Sequence, residues 1–138
     1  MADVLKEHGH EVKGSDIRDR GYEGTEVKDF FDYYGSWGGD IVTNPPYSMA
    51  KEFVEKALTL VPDGHKVCMF LKLSFLEGKG RKEFFRENPP LRVWVSSSRL
   101  ICSKNGAEFN SATGNAVCYA WFVWSKGFKG ATEVRWFN

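Results

Sequence analysis

Two consecutive prolines, Pro45 and Pro46, constrain this chain more than any other feature, because they separate a strand pattern from an amphipathic helix pattern. Residues 40–43 predict a strand, and residues 49–61 predict a helix with Ser48 as its cap. Proline lacks the amide hydrogen that helices and strand ladders need, and it biases the preceding residue toward extended conformations. The chain must therefore turn sharply between these two elements.

Strand and helix patterns alternate along the 138 residues, and the apolar run at 66–73 is typical of a strand buried on both faces of a parallel sheet. The alternation indicates one α/β domain over residues 1–138, with a doubly wound, mostly parallel sheet. Residues 116–124 and 133–137 lie close enough to predict an antiparallel C-terminal hairpin at the sheet edge. The other predicted elements are helices at 2–8, 25–34 and 81–87 and strands at 11–16 and 91–95.

Charge and apolar content narrow the possible partners. The net charge of +1 supplies no global attraction to nucleic acid, so such contact requires a local basic patch. Residues 79–104 contain seven basic and two acidic side chains, which suits either a phosphate-contacting face or an ordinary charged surface. The longest apolar run, residues 116–124, is far shorter than the ~20 residues of a membrane span, and residues 1–13 do not resemble a signal peptide. These features predict a cytoplasmic protein.

The three cysteines are odd in number and widely spaced, which fits neither a disulfide framework nor a zinc site. Cys68 and Cys118 stand in apolar runs and are predicted to be buried, reduced thiols. The three histidines also lack metal-ligand spacing, so no metal site is predicted.

The turn carries groups that suit a reaction on a planar amino group. The lone pair of such a nitrogen is delocalised, and acceptors for its N–H groups favour the tetrahedral nitrogen that develops during attack. The side chain of Asn44 and the carbonyl of Pro45 supply two acceptors, Pro46 stiffens the backbone, and Tyr47 offers a ring on which a flipped-out base can stack. A purely structural turn, such as residues 89–90 provide, is the alternative.

Asn44-Pro45-Pro46-Tyr47 after a strand resembles the catalytic signature of class I S-adenosylmethionine-dependent methyltransferases that act on amino groups of adenine, guanine or glutamine. Nearly the whole chain resembles the phage-type DNA adenine methyltransferases. The resemblance implies a Rossmann-like methyltransferase fold, S-adenosylmethionine as the cofactor and adenine in DNA as the substrate. The matching segments are residues 8–16, 19–22, 74–78, 92–95 and 120–124.

The resemblance also implies residues for the cofactor. Asp16 would bind the ribose hydroxyls, Asp29 and Phe30 would flank the cofactor adenine, and Asn44 would contact the cofactor as well as the substrate. Without the resemblance, Asp16 is equally well a strand-ending turn residue, and Asp29 and Phe30 are a polar and a core position of a short helix.

Substrate contacts are assigned to Tyr47 and Ser48 in the turn and to Arg81 and Arg99 in the basic segment. Arg99 belongs to the long polar segment 96–115, which is interpreted as a substrate-recognition loop or as a disordered stretch. Contacts of these side chains with DNA, or alternatively RNA, are therefore expected.

The first strand and the glycine-rich cofactor loop that the resemblance implies have no counterpart in the sequence, which predicts a truncated fold. Weak or absent cofactor binding is therefore expected, or a homodimer that covers the exposed sheet edge. Three hypotheses stay open: a phage-type DNA adenine methyltransferase that is active only if the missing front part is supplied, an RNA-base or glutamine methyltransferase, and a catalytically silent remnant that binds nucleic acid or a partner.

Overall fold

The computed structural model describes residues 1–98, 100 and 117–138. They divide into two compact units, residues 1–35 and residues 36–138, and each unit is described by itself. Within the described ranges, no helix combines the length and apolar character needed to cross a membrane.

The first unit contains a short helix and a two-stranded parallel sheet. The predicted first helix is confirmed as α1 (Ala2–Glu7), after which Gly9 adopts a positive φ of 83°. The predicted strand at 11–16 is confirmed in its second half as β1 (Gly14–Asp16), which pairs in parallel with β2 (Thr25–Val27).

The helix predicted over residues 25–34 is wrong. Thr25 and Val27 are β-branched and belong to β2, where such side chains fit better than in a helix. The backbone N–H of Phe31 donates to Asp29 Oδ1 at 2.9 Å, and this cap starts a single 3₁₀ turn, Phe30–Asp32. The apolar spacing that predicted a helix therefore reflects a strand followed by a turn.

The second unit is built on a five-stranded mixed sheet in the order β3-β4-β6-β5-β7. Strand β4 is parallel to β3, β6 is antiparallel to both β4 and β5, and β7 is parallel to β5. The α/β class is confirmed, but with two parallel and two antiparallel pairings this sheet is mixed and not mostly parallel. Its elements are β3 (Ile41–Thr43), a 3₁₀ turn (Tyr47–Met49), α2 (Ala50–Leu60), β4 (Lys66–Lys72), 3₁₀ turns (Leu73–Leu76 and Lys79–Arg81), α3 (Lys82–Glu87), β5 (Arg92–Ser96), β6 (Tyr119–Ser125) and β7 (Glu133–Phe137).

The predicted C-terminal hairpin is wrong, although both of its strands exist. Both edges of β6 are already paired, one with β4 and the other with β5, so β7 has no free edge of β6 beside it. Strand β7 instead lies at the outer edge of β5. Its exposed middle residues and its charged Glu133 and Arg135 suit an edge position.

The core lies on one face of this sheet. Alternate residues of β4, Val67, Met69 and Leu71, are at most 1% exposed, while the residues between them are half-buried or exposed. The prediction that this strand is buried on both faces is therefore wrong. Helix α2 contributes Val54 and Ala57, both fully buried, to the core.

The two described cysteines differ in environment. Burial raises the pKa of the Cys68 thiol to about 11, so this side chain stays protonated at neutral pH. Cys118 precedes β6 and is exposed, which contradicts its predicted burial. It lies just outside the strand, where the alternating burial pattern does not reach.

Glu133 links β7 to β5. Its carboxylate is bound by Arg135 at 2.7 Å and by Arg92 at 2.7 Å, and these hydrogen bonds, that of Arg135 foremost, hold its pKa below the ordinary value of 4.5. A lowered folded-state pKa adds stability above the unfolded value, and that stability is lost as the pH falls through the folded value. We therefore expect Glu133→Gln to lower the denaturation midpoint at pH 7, and this difference from wild type to be smaller at about pH 3, below the ordinary glutamate value.

Urea unfolding at both pH values measures this effect. Glu77→Gln, at an exposed position whose carboxylate forms no ion pair with a described residue, is the matched control and should shift the midpoint little at either pH. A Glu133→Gln deficit of equal size at pH 7 and pH 3 would contradict the ionic role of Glu133.

Candidate active site

The turn after β3 exposes the residue expected to act on the substrate. Asn44 follows the last residue of β3 and is exposed, whereas Pro45 beside it is buried. Pro46 has φ −54° and ψ 125°, an extended conformation that matches the predicted turn. Among the described residues, none makes a hydrogen bond to the Asn44 side chain, so its amide oxygen can accept from a ligand.

Ser48 does not cap α2. The backbone N–H of Met49 donates to the carbonyl of Pro46 at 2.9 Å and closes a 3₁₀ turn, so that α2 begins only at Ala50. Ser48 lies exposed inside this turn, one residue before the N-cap. The extra turn displaces the helix start, and the predicted cap is therefore wrong.

Tyr47 packs against side chains of the sheet, and 36% of its surface remains exposed. Its centroid lies 6.0 Å from that of Tyr119 on β6, and the ammonium of Lys72 lies 5.0 Å from the Tyr47 centroid. Tyr119 stacks on Phe70 at 5.3 Å, and Phe70 contacts Trp121 at 5.2 Å. Tyr47 is thus the outermost ring of an aromatic row that runs across β4 and β6.

Lys72 was missed by the sequence analysis. It is the last residue of β4, and β4 is parallel to β3, so the carboxyl ends of both strands meet at the same sheet edge. A lysine that ends an apolar strand was the available signal, because ligands in such sheets bind beyond the carboxyl ends of the strands.

Arg81 braces the loop that follows β4. Its Nη2 donates to the carbonyl of Ser74 at 3.3 Å and to that of Glu77, and its guanidinium lies 5.1 Å from the Phe75 ring centroid. Gly78 has φ 121°, and a Cβ there would lie 3.0 Å from Arg81 Nη2, so the loop needs glycine at this position. Within the part of the chain described, the buried Nε of Arg81 has no partner.

These residues enclose a cavity of about 160 Å³ beside the turn. It is lined by Tyr47, Ala50, Leu71, Lys72, Ser74, Phe75 and Arg81. A larger cavity of about 370 Å³ includes Trp124 and Ser125 and lies at the other end of β4, because Ser125 pairs with Lys66. The smaller cavity is the candidate site, since Tyr47 of the turn and Lys72 at the strand end line it. Asn44, Pro45 and Pro46 are not among its lining residues.

The residues expected to bind the cofactor meet at one end of the two-stranded sheet. Asp16 ends β1, and Asp29 follows β2 by two residues. Asp16 Oδ1 accepts from the N–H of Arg18 at 2.9 Å and lies 3.6 Å from Arg20 Nε, and Asp29 uses its Oδ1 as a cap. Among the described residues, the Oδ2 atoms have no such contact, so both carboxylates retain an acceptor that fits ribose or adenine donors.

Phe30 is half-buried next to Asp29 and packs edge-on against Phe31, with centroids 6.0 Å apart. The other predicted site residue, Arg99, lies outside the described residues. The structure thus groups Asp16, Asp29 and Phe30 within the first unit, and the turn with Arg81 within the second.

No protein-family model matches this sequence, and no curated protein matches it either.

Proposed function

We propose that this protein transfers a methyl group from S-adenosylmethionine to a planar amino group, with the exocyclic amine of adenine in DNA as the acceptor. One observation carries the proposal: Asn44 stands exposed at the end of β3, without a hydrogen-bond partner among the described residues, in the same turn as the partly open Tyr47 ring. Such a turn holds an acceptor and a stacking surface together on a rigid backbone.

The turn acts by positioning. The Asn44 amide oxygen and the Pro45 carbonyl accept hydrogen bonds from the substrate NH₂ group and favour its tetrahedral form. Tyr47 holds the ring of the base in place, and the two prolines keep both acceptors fixed, so little reorganisation is needed during the reaction. S-adenosylmethionine, when bound, supplies the methyl group.

The first unit is proposed to hold the cofactor. The free carboxylate oxygens of Asp16 and Asp29 suit the ribose hydroxyls and the adenine amino group, and the ring of Phe30 suits the face of that adenine. These contacts fix the cofactor without taking part in bond making.

A nucleobase fits the second unit better than a glutamine side chain does. Tyr47 offers a ring face for stacking, and the cations of Lys72 and Arg81 lie in the same cavity wall. Stacking on an aromatic ring contributes about 1–3 kcal/mol per base, which a primary amide cannot match. The choice of DNA over RNA comes from the resemblance.

A methylation assay with labelled S-adenosylmethionine and three acceptors, adenine-containing DNA, RNA and protein, tests this function. We expect label in DNA, at the N6 position of adenine, when S-adenosylmethionine is supplied at concentrations high enough to offset the weak cofactor binding expected without the glycine-rich loop. Label in RNA or in glutamine would replace the proposed substrate, and a failure to label any acceptor would overturn the proposed reaction.

The outer edge of β3 supports a second candidate. Among the described residues, no strand pairs with that edge, since β3 is bonded to β4 alone. A protein that binds nucleic acid without catalysis, or one in which a second copy covers this edge, is compatible with that arrangement. Retention of DNA at low salt without any methyl transfer would favour this candidate.

A further inference from the structure

We propose that the cavity beside Tyr47 is a phosphate subsite, in which Lys72 and Arg81 contact a backbone phosphate of the nucleic acid whose base stacks on Tyr47. This inference rests on the proposed function and deepens it, because it selects nucleic acid as the substrate class and adds Lys72 to the substrate-binding residues.

The charges of the cavity argue for an anion. Among the described residues that line it, Lys72 and Arg81 are the two charged ones, and none is acidic. Neither cation forms an ion pair with a described carboxylate, unlike Arg92, which is paired with Glu133 at 2.7 Å. Two like charges in one small cavity repel each other, and a bound anion removes that repulsion.

The donors of the cavity argue for an oxygen-rich anion. Arg81 is fixed by the carbonyls of Ser74 and Glu77, so the direction of its guanidinium is set before a ligand arrives. Its buried Nε is closed to ligands, whereas its Nη1 makes no hydrogen bond to a described residue and is the guanidinium nitrogen left for a ligand oxygen. The Lys72 ammonium, 5.0 Å from the Tyr47 ring centroid, is a second donor, and arginine with lysine is a usual combination for phosphate.

The size and place of the cavity fit one phosphate group rather than a whole nucleotide. Its volume of about 160 Å³ is below the ~300–1,000 Å³ of pockets for drug-sized ligands, so a whole nucleotide does not fit inside it. Tyr47 forms one wall, and its ring is also exposed to solvent, so a base on the ring and a phosphate in the cavity can belong to one strand.

Lys72→Met tests the subsite, and Lys66→Met is its matched control. The two lysines are the first and last residues of β4 and lie on the same face of the sheet, about 20 Å apart at ~3.3 Å per residue. Each variant removes one positive charge, so the two differ only in where the charge is lost. Arg81 is left intact because it braces the loop. Fluorescence anisotropy with a labelled single-stranded oligodeoxynucleotide, repeated over a series of salt concentrations, gives the affinity and its salt dependence.

We expect Lys72→Met to weaken binding several-fold and to flatten the slope of log K against log salt by about 0.7, the value of one lost phosphate contact on a single strand. Lys66→Met should leave the slope near that of wild type. Equal slopes for the two variants, or no oligonucleotide binding by wild type, would overturn the subsite.

Two further measurements distinguish the phosphate subsite from a carboxylate site and from a failure of the proposed function. The first measures the affinity of a labelled polyglutamate peptide. If Lys72→Met weakens binding of this peptide as much as it weakens binding of the oligonucleotide, the cavity is a carboxylate site and the nucleic-acid assignment is overturned. Asn44→Ala should keep the wild-type salt slope. If Asn44→Ala also keeps wild-type methyl transfer, the proposed function fails. If Lys72→Met keeps the wild-type salt slope, only the subsite fails, because that result says nothing about methyl transfer by wild type.

Discussion

Asn44→Ala should lower methyl transfer by about 10²–10³-fold, the usual effect of removing one hydrogen-bonding group that stabilises charge developing in a transition state. The loss should appear in kcat, because the acceptor acts on the nitrogen as it becomes tetrahedral. Single-turnover transfer of labelled methyl to adenine-containing DNA measures it.

The fold of this variant should be unaffected. Asn44 is exposed, and its side chain has no hydrogen-bond partner among the described residues, so the free energy of unfolding should change by no more than about 0.5 kcal/mol. Transfer at the wild-type rate by a folded Asn44→Ala protein would remove this residue from the reaction. A large drop in stability would instead assign it a structural role in the turn.

Trp124→Ala should have the largest effect on stability, about 3–5 kcal/mol. The side chain is 1% exposed, and its ring packs against Phe75, Phe84 and Phe122. Its Nε1 also donates to the carbonyl of Asn88 at 3.0 Å, so the variant loses a hydrogen bond and leaves a cavity in the core. Whole domains are stable by only ~5–15 kcal/mol, so much of the protein should unfold in mild denaturant.

Trp136→Ala is the matched control for this prediction. Trp136 lies on the edge strand β7 and is 65% exposed, so its replacement should cost no more than about 0.5 kcal/mol. Urea denaturation followed by circular dichroism measures both variants. Similar midpoints for the two would contradict the assignment of Trp124 to the core.

The elements around the turn were predictable because strong local signals agreed. Proline geometry forces the break after β3, the helical spacing of α2 buries Val54 and Ala57, and the apolar run of β4 forms a strand. Local rules determine such segments, and distant contacts do not alter them.

The two errors in strand assignment and pairing occurred where distant contacts decide. Thr25–Val27 is a strand because β1 lies beside it, although its spacing also fits a helix. Strand β7 follows β6 in the chain but pairs with β5, because β4 and β5 already occupy both edges of β6. Pairing partners depend on the whole sheet, and the spacing of residues within one segment does not encode them.

The candidate site divides in the same way. Asn44 and Tyr47 could be identified from four adjacent letters of sequence, whereas Lys72 becomes visible only when β3 and β4 are known to be parallel neighbours. The bracing role of Arg81 likewise depends on a loop conformation, with Gly78 at φ 121°, that charge patterns do not reveal.

The aromatic row behind Tyr47 determines whether the turn would keep its geometry in another protein. Tyr47 is supported by Tyr119, and Tyr119 by Phe70, so its ring is oriented by two strands that are remote from it in sequence. A tetrapeptide grafted onto another strand–helix junction would bring its prolines but leave this support behind. The smallest unit worth transplanting into a new scaffold is therefore the turn together with β4 and β6.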